Sequence, residues 1–239
     1  MLTLDRISVT YENLTAVDEV SLQLSGGRIH GLMGANGAGK SSLINVAVGL
    51  INEYAGQVNY QGRELRKHRK WVKEHLGFAP EDTQLAPYLK GREFLELIAA
   101  IKNCPDKGNT INHFITMLGL EEKTDELICN LSHGMKQKIL LASAFMGNPD
   151  YLIIDEALNG LDTVSLYNVL EYLQTRARKG CTILIASHII PLIYEWCDQI
   201  HIMHKGKIIK QFKKNELADF EKTCGVNFQT YFINLIKEH

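Results

Sequence analysis

The fold is decided by Gly34-Ala35-Asn36-Gly37-Ala38-Gly39-Lys40-Ser41, which fits the pattern G-x-x-x-x-G-K-[ST] with one additional glycine. Residues 28–33 come directly before this stretch and form an apolar run of strand character. Residues 41–50 follow it with the composition of a helix. A strand, a glycine-rich loop and a helix in this order open a βαβ unit, so the sequence predicts an α/β protein.

The residue types of this loop suit the binding of a phosphate group. Glycines allow a tight turn in which backbone N–H groups converge on phosphate oxygens, and the positive end of the next helix points at the same anion. A simple glycine turn is the alternative, but the flanking strand and helix favour a nucleotide site. Lys40 then reaches the β- and γ-phosphates, and the Ser41 hydroxyl is a ligand of Mg²⁺. The predicted nucleotide-binding residues of the loop are Gly34, Ala35, Asn36, Gly37, Ala38, Gly39, Lys40, Ser41 and Ser42.

A second motif, Tyr151-Leu-Ile-Ile-Asp155-Glu156, is an apolar run that ends in two carboxylates. Runs of this kind, including residues 181–186, are typical of strands that are buried on both faces of a parallel sheet. Asp155 at the strand end can hold Mg²⁺ through water, and Glu156 can orient or deprotonate an attacking water molecule. Two acidic residues at a strand end are weak evidence alone, but together with the phosphate loop they predict a metal ligand and a general base.

The remaining patterns divide the chain into a strand-rich part and a helical part. Strand character recurs at residues 9–24 around a turn at Glu12-Asn13, at 58–60, and in a hairpin of 199–203 and 207–212. Helical patterns occur at 92–101, 110–118, 135–146, 164–179 and over about the last 25 residues. Strand signals are absent from residues 82 to 147. The sequence therefore predicts one domain, with a nucleotide-binding core of residues 1–81 and 148–239 and a helical subdomain of residues 82–147.

Composition and charge exclude several classes of protein. Hydrophobic residues make up 45% and charged residues 22%, which is typical of a globular protein and not of a disordered chain. The formal net charge is −1, so no general binding of polyanions and no specific nucleic acid is expected. We find no apolar stretch of the roughly 20 residues that a spanning helix needs, and no signal-peptide pattern at the N-terminus. Five cysteines without a CxxC pair are typical of a reduced cytosolic protein.

Three further motifs carry a resemblance to a known family. Leu131-Ser132-His133-Gly134-Met135 resembles the signature motif of ATP-binding cassette (ABC) ATPases, which is usually written LSGGQ. Asn159-Gly-Leu161-Asp162 resembles the D-loop of that family, and Ala186-Ser187-His188 resembles its switch histidine at the end of a strand. The order and spacing of these motifs match, and the resemblance covers nearly the whole chain.

The resemblance implies both a fold and an activity. The implied fold is a P-loop NTPase core with a mainly parallel sheet, an N-terminal antiparallel β subdomain and an inserted α-helical subdomain. The implied activity is ATP hydrolysis that powers substrate movement through a separate transmembrane permease subunit, with ATP and Mg²⁺ as cofactors. Such a subunit lies at the cytoplasmic face of the cell membrane. Two cassettes, in a homodimer or paired with a paralogue, enclose two ATP molecules head to tail.

The family also implies roles for single residues. Ser132 and Gly134 contact the γ-phosphate of ATP that is held by the partner cassette, and His188 contacts the γ-phosphate on its own side. Asp162 helps to join the two halves, and Tyr11 stacks on adenine. The predicted catalytic residues are Glu156, His188 and Lys40.

Some positions depart from the family pattern. His133 and Met135 replace a glycine and the glutamine of the signature. We expect two cassettes still to enclose ATP, with a changed reaction rate. Glu81 replaces a glutamine in a loop that faces the metal and couples to the permease, and we predict it as a metal ligand beside Ser41 and Asp155. Phe-Ala-Pro-Glu81 together with Leu-Ser-x-Gly-Met resembles the subgroup that exports antibiotics, peptides or lipids.

The interpretation of one basic segment stays open, and two functional hypotheses stand beside the transporter subunit. The basic run of residues 63–73 is a solvated helix face, a contact for anionic lipid or the permease, or a weak nucleic-acid patch. An ATPase that acts on nucleic acid, translation or metal-cluster assembly is the second functional hypothesis. A regulatory cassette that binds ATP without turnover is the third, and the altered signature motivates it.

Overall fold

The smaller of two sheets is antiparallel and contains the N-terminal strands. The computed structural model describes residues 1–81, 85–217 and 226–238. The strand order is β2-β1-β4-β5, with β1 at Leu2–Tyr11, β2 at Leu14–Leu24, β4 at Ala55–Tyr60 and β5 at Arg63–Glu64. The chain turns at Glu12-Asn13, as predicted. Strand β1 begins earlier than expected because Leu2 and Leu4 extend its buried face.

Within the described residues, the larger sheet has six strands in the order β10-β9-β3-β8-β7-β6. The strands are β3 at Arg28–Met33, β6 at Leu76–Ala79, β7 at Tyr151–Asp155, β8 at Thr182–Ser187, β9 at Gln199–His204 and β10 at Lys207–Lys213. Every neighbouring pair is parallel except β9 and β10, which form the predicted hairpin. All residues of β7 and β8 are buried, as continuous apolar runs require. The predicted fold class is confirmed.

Helices cover the sheets and fill the segment between β6 and β7. They are α1 at Lys40–Ala47, α2 at Arg69–His75, α3 at Gly91–Ile101, α4 at Lys107–Leu118, α5 at His133–Phe145, α6 at Thr163–Arg178, α7 at Ile190–Trp196 and α8 at Phe228–Glu238. A short 3₁₀ helix spans Ile128–Asn130. Residues 85–147 contain helices and one isolated bridge between Lys90 and Leu127. The helical segment is therefore present, and the subdomain boundaries stay a prediction.

Strands β5 and β6 and helix α7 were not predicted, whereas helix α2 overlaps the basic run of residues 63–73, for which a solvated helix face was one interpretation. Strands β5 and β6 have two and four residues, too few for a periodic signal. In helix α2 only Val72 is buried, so the helix has no periodic apolar pattern. Residues 63–68 of the basic run lie outside this helix. Helix α7 begins at Ile190 and has Pro191 in its first turn, where a missing backbone N–H leaves no helical hydrogen bond unmade. The predicted C-terminal helix is observed as α8, and part of that prediction falls on residues 218–225 and 239, outside the described residues.

The larger sheet brings distant motifs to one edge. In the parallel register Met33 pairs with Ser187, and Asp155 pairs with Ala186. The three strands β3, β7 and β8 therefore end side by side. The phosphate loop, Glu156 and His188 follow these strand ends directly, which places them at the carboxyl edge where open α/β sheets bind ligands.

Candidate active site

The phosphate loop has a constrained backbone and an inward-facing lysine. Gly39 has φ +102° and its α-carbon lies so close to the Ala16 carbonyl that a Cβ atom would collide with it. A Cβ atom on Gly34 would collide with the Met203 carbonyl in the same way. Lys40 is buried at the start of α1, and its Nζ donates to the carbonyls of Gly34 at 2.8 Å and Ala35 at 3.3 Å. Only glycine at these positions lets the loop close over the lysine.

A cleft of about 560 Å³ opens beside this loop. Its lining consists of Tyr11, Leu14, Thr15, Ala16, Asn36, Gly37, Ala38, Gly39, Lys40, Ser41, Ser42, Glu81, Glu156, Lys205 and Gly206. Most of the predicted nucleotide-binding residues are thus brought together in one place of nucleotide size. Tyr11 is 47% exposed at this lining, and its hydroxyl donates to Ser42 Oγ at 3.4 Å.

Sequence reasoning missed the contribution of the β9–β10 turn to the cleft. Gly206 N donates to the Ala38 carbonyl at 3.0 Å, and Asp18 N donates to the Gly206 carbonyl at 2.9 Å. The turn therefore attaches the phosphate loop to β2, and Lys205 lines the cleft. The hairpin itself was predicted, but no local pattern indicates where a hairpin docks.

Glu156 lies at the centre of the strand ends and is only 6% exposed. Its Oε1 lies 3.4 Å from Lys40 Nζ. Its Oε2 accepts from Asn159 Nδ2 at 2.7 Å and from His188 Nδ1 at 3.0 Å. The Glu156 backbone has φ +53°, a conformation that is unfavourable for a side chain of this size and is held by the surrounding contacts.

Asp155 is buried beside Ser41, and its electrostatics suit a cation. Burial raises the pKa of Asp155 to about 6, and the carboxylates of Glu156 and Glu81 add to the rise, whereas the Ser41 hydroxyl opposes it. Among the described residues, Asp155 Oδ1 has no hydrogen-bond partner although it is buried. A divalent cation would satisfy this oxygen and relieve the crowding of negative charge.

The donor set fits Mg²⁺ that is shared with a substrate. Ser41, Asp155 and Glu81 offer hard oxygen atoms. Within the described ranges, no group of three or more His, Cys, Asp or Glu residues forms a complete metal cage. Mg²⁺ is commonly held by one or two carboxylates together with substrate phosphates, so this partial set is the expected kind.

Asp155→Asn is expected to raise the melting temperature of the nucleotide-free protein by about 5 °C at pH 7.5 in EDTA. A pKa raised by folding means that the stability present at low pH is lost as pH rises toward 6, because the buried carboxylate must ionise. The gain is expected to be smaller at pH 5. Thermal scans at both pH values test this, with Asp150→Asn, at an exposed position just before β7, as control. An equal gain at both pH values would contradict it.

The signature residues lie on a different surface. Ser132 caps the N-terminus of α5, where its Oγ accepts from Met135 N at 3.3 Å. Within the described part of the chain, neither Ser132 nor Gly134 lines the cleft. His133 is exposed on the first turn of the same helix.

Asp162 of the D-loop contacts both α6 and α5. Its Oδ1 accepts from Ser165 N at 2.9 Å and caps α6, and its Oδ2 pairs with Lys138 Nζ at 2.7 Å. The Lys138 and Ser165 hydrogen bonds lower the pKa of Asp162. This carboxylate ties the D-loop to α5, the helix that carries the signature motif.

Comparisons with known proteins define the family. The ABC transporter family model matches residues 17–159. The bacitracin transport ATP-binding protein BcrA of Bacillus licheniformis is 32% identical over 87% of this chain and 68% of its own length. The methionine import ATP-binding protein MetN 1 of Yersinia pestis bv. Antiqua (strain Antiqua) is 30% identical over 93% of this chain and 68% of its own length.

Solved structures show the same fold. The ATP-binding subunit of an ABC transporter superposes with a TM-score of 0.89 and 25% identity, covering 98% of this chain and 99% of that one. The dimeric bacterial ABC transporter cassette MJ0796 gives a TM-score of 0.83 and 21% identity over 90% of this chain and 99% of its own.

The chain belongs to the ABC transporter family. It is an ATP-binding, ATP-hydrolysing subunit of the kind found in ABC transporters. The family resemblance inferred from the motifs is therefore confirmed. No helix in the described residues has the length and apolar character needed to cross a bilayer.

Proposed function

We propose that the chain hydrolyses ATP to power the export of a substrate through a separate membrane subunit, and that ATP binding joins two cassettes. The observation that carries this proposal is the meeting of Lys40 and Glu156 in one cleft, with 3.4 Å between Nζ and Oε1. A phosphate-binding cation and a carboxylate base at this spacing can hold a γ-phosphate and a water molecule next to each other.

The residues of the cleft divide the chemistry among them. Lys40 and the N-terminus of α1 bind the phosphates, and Ser41, Asp155 and Glu81 hold Mg²⁺, which neutralises charge on the phosphates when bound. Glu156 Oε1 accepts a proton from the attacking water. His188 is 54% exposed, so its ring can leave Glu156 and donate to the γ-phosphate.

Joining of two cassettes follows from the position of the signature. Ser132 and Gly134 present the N-terminus of α5 on a surface away from their own cleft. A partner's ATP can accept hydrogen bonds there, and contacts that exist only with ATP drive closure. The dimeric cassette MJ0796 supports this arrangement.

We place the core at residues 1–81 and 148–239 and the helical subdomain at residues 82–147.

The proposal of export through a permease at the cytoplasmic face of the membrane is based on sequence motifs and on what similar proteins transport. The Phe-Ala-Pro-Glu81 pattern favours export. BcrA is a bacitracin transport protein, and MetN 1 is a methionine import protein, so importers are also similar to this chain.

Purification of the tagged chain from gently solubilised native membranes is expected to bring down a membrane protein with several spanning segments. Reconstitution of that protein with the chain is expected to stimulate ATP hydrolysis severalfold, and Glu156→Gln is expected to abolish the stimulated rate. Recovery of only ribosomal, nucleic-acid or assembly partners would overturn the transport proposal in favour of the second hypothesis, while the ATP site would stand.

A further inference from the structure

The two carboxylate oxygens of Glu156 have different surroundings. Oε2 accepts hydrogen bonds from Asn159 Nδ2 and His188 Nδ1, with a longer contact to His188 N at 3.4 Å. Oε1 is buried and, among the described residues, has no hydrogen-bond partner; its contact is the ion pair with Lys40. The carboxylate is therefore oriented, with one oxygen held and the other directed at the phosphate loop.

Asn159 is itself fixed on two sides. Its backbone N donates to the Glu156 carbonyl at 3.2 Å, which closes a tight turn after β7. Its Oδ1 accepts from Ser187 Oγ at 3.4 Å at the end of β8. Because the amide oxygen faces Ser187, the amide nitrogen faces Glu156, where its distance to Oε2 of 2.7 Å is the shortest contact of that carboxylate.

The other side-chain donor on Oε2 has a competing task. In the proposed mechanism His188 turns to the γ-phosphate when ATP is bound, and it then no longer holds Oε2. The Asn159 side chain contacts Glu156 and Ser187 and does not line the cleft, so it has no competing task there. A base that is held by a fixed donor stays aligned with the water molecule that it activates.

We propose that Asn159 is a positioning residue that holds Oε2 of Glu156, so that Oε1 alone serves as the base. This inference rests on the proposed role of Glu156. It assigns to the first residue of the D-loop a hydrogen bond within its own subunit that acts on the hydrolysis step and not on ATP binding.

Kinetics of Asn159→Ala and Asn159→Asp test the proposal. Asn159→Ala is expected to lower kcat about tenfold or more, with KM for ATP changed by less than about threefold, because a hydrogen bond to a charged group is lost. Asn159→Asp keeps the shape but places a carboxylate against a carboxylate, so its kcat at pH 8 is expected to be lower still. If Asn159 only filled space, the aspartate would be the milder change. Asn168→Ala is the matched control, since it removes a similar amide donor, to the Met117 carbonyl, away from the cleft.

Thermal stability provides a readout that is independent of activity. Asn159→Asp is expected to lower the melting temperature of the nucleotide-free protein, and Glu156→Gln in the same chain is expected to cancel most of that loss, because the new amide can donate to the new carboxylate. This inference would be overturned if the melting-temperature changes of the two variants simply added. It would also be overturned if Asn159→Asp had a wild-type kcat while Glu156→Gln was inactive. Neither result would affect the proposed role of Glu156. Retained hydrolysis by Glu156→Gln would instead overturn the proposed role of Glu156.

Discussion

Glu156→Gln is expected to bind ATP as the wild-type chain does and to lower kcat by about 10³-fold. Glutamine keeps the shape of the side chain and its contact with Asn159, but it cannot accept a proton from water, and general base catalysis contributes about 10²–10⁴-fold. Single-turnover hydrolysis and equilibrium binding of a fluorescent ATP analogue measure the two quantities separately.

The same variant is expected to form a dimer when ATP is added. ATP that is bound but not hydrolysed keeps the contacts to the signature motif of the partner, so size-exclusion chromatography is expected to show a doubled mass with ATP and a monomer with ADP. Glu171→Gln, at an exposed position of α6, is the control and is expected to behave as wild type. Normal hydrolysis by the purified Glu156→Gln protein would remove Glu156 from its assigned role.

Lys40→Ala is expected to weaken ATP binding by about 10²-fold. The ammonium group that reaches the phosphates is lost, and charge-assisted contacts of this kind are worth about 1.5–3 kcal/mol. Isothermal titration calorimetry with ATP measures the change. Lys179→Ala, at an exposed position just after α6, is the control.

The effect of Lys40→Ala on binding has to be separated from its effect on folding. Lys40 and Glu156 are each only 6% exposed, so removal of the cation leaves a buried carboxylate without its partner and lowers stability. Lys40→Ala combined with Glu156→Gln removes both charges and is expected to recover most of the melting temperature while ATP binding stays weak. Recovery of ATP affinity in the double variant would contradict a direct role of Lys40.

The parts of the fold that could be predicted are those with a local signal. The phosphate loop lies between β3 and α1 as predicted. Glycine, lysine and serine at that spacing are typical of one backbone conformation, so the sequence alone indicates it. Strands β7 and β8 were predicted because burial on both faces leaves a continuous apolar run. Strand β6 and helix α2 carry no comparable pattern, since each is short and only part of each is buried.

The site was predictable to the extent that its residues follow strands. Lys40, Asp155, Glu156 and His188 come together because β3, β7 and β8 are parallel neighbours, and their assigned roles stay predictions. The docking of Gly206 on the phosphate loop and the pairing of Asp162 with Lys138 depend on contacts between distant segments. No periodicity reports such contacts, so they become visible only in the folded chain.

The attachment of Ala38 to the β9–β10 turn has a consequence for the thermodynamics of nucleotide binding. The Gly206 amide binds the phosphate loop and the Asp18 amide binds the turn, so the loop, the turn and β2 are linked by hydrogen bonds of the chain to itself. A loop that became ordered only around its ligand would lose about 1–2 kcal/mol of conformational entropy for each residue fixed. Here that ordering is part of folding, so more of the attraction between the loop and the phosphates is expressed as affinity.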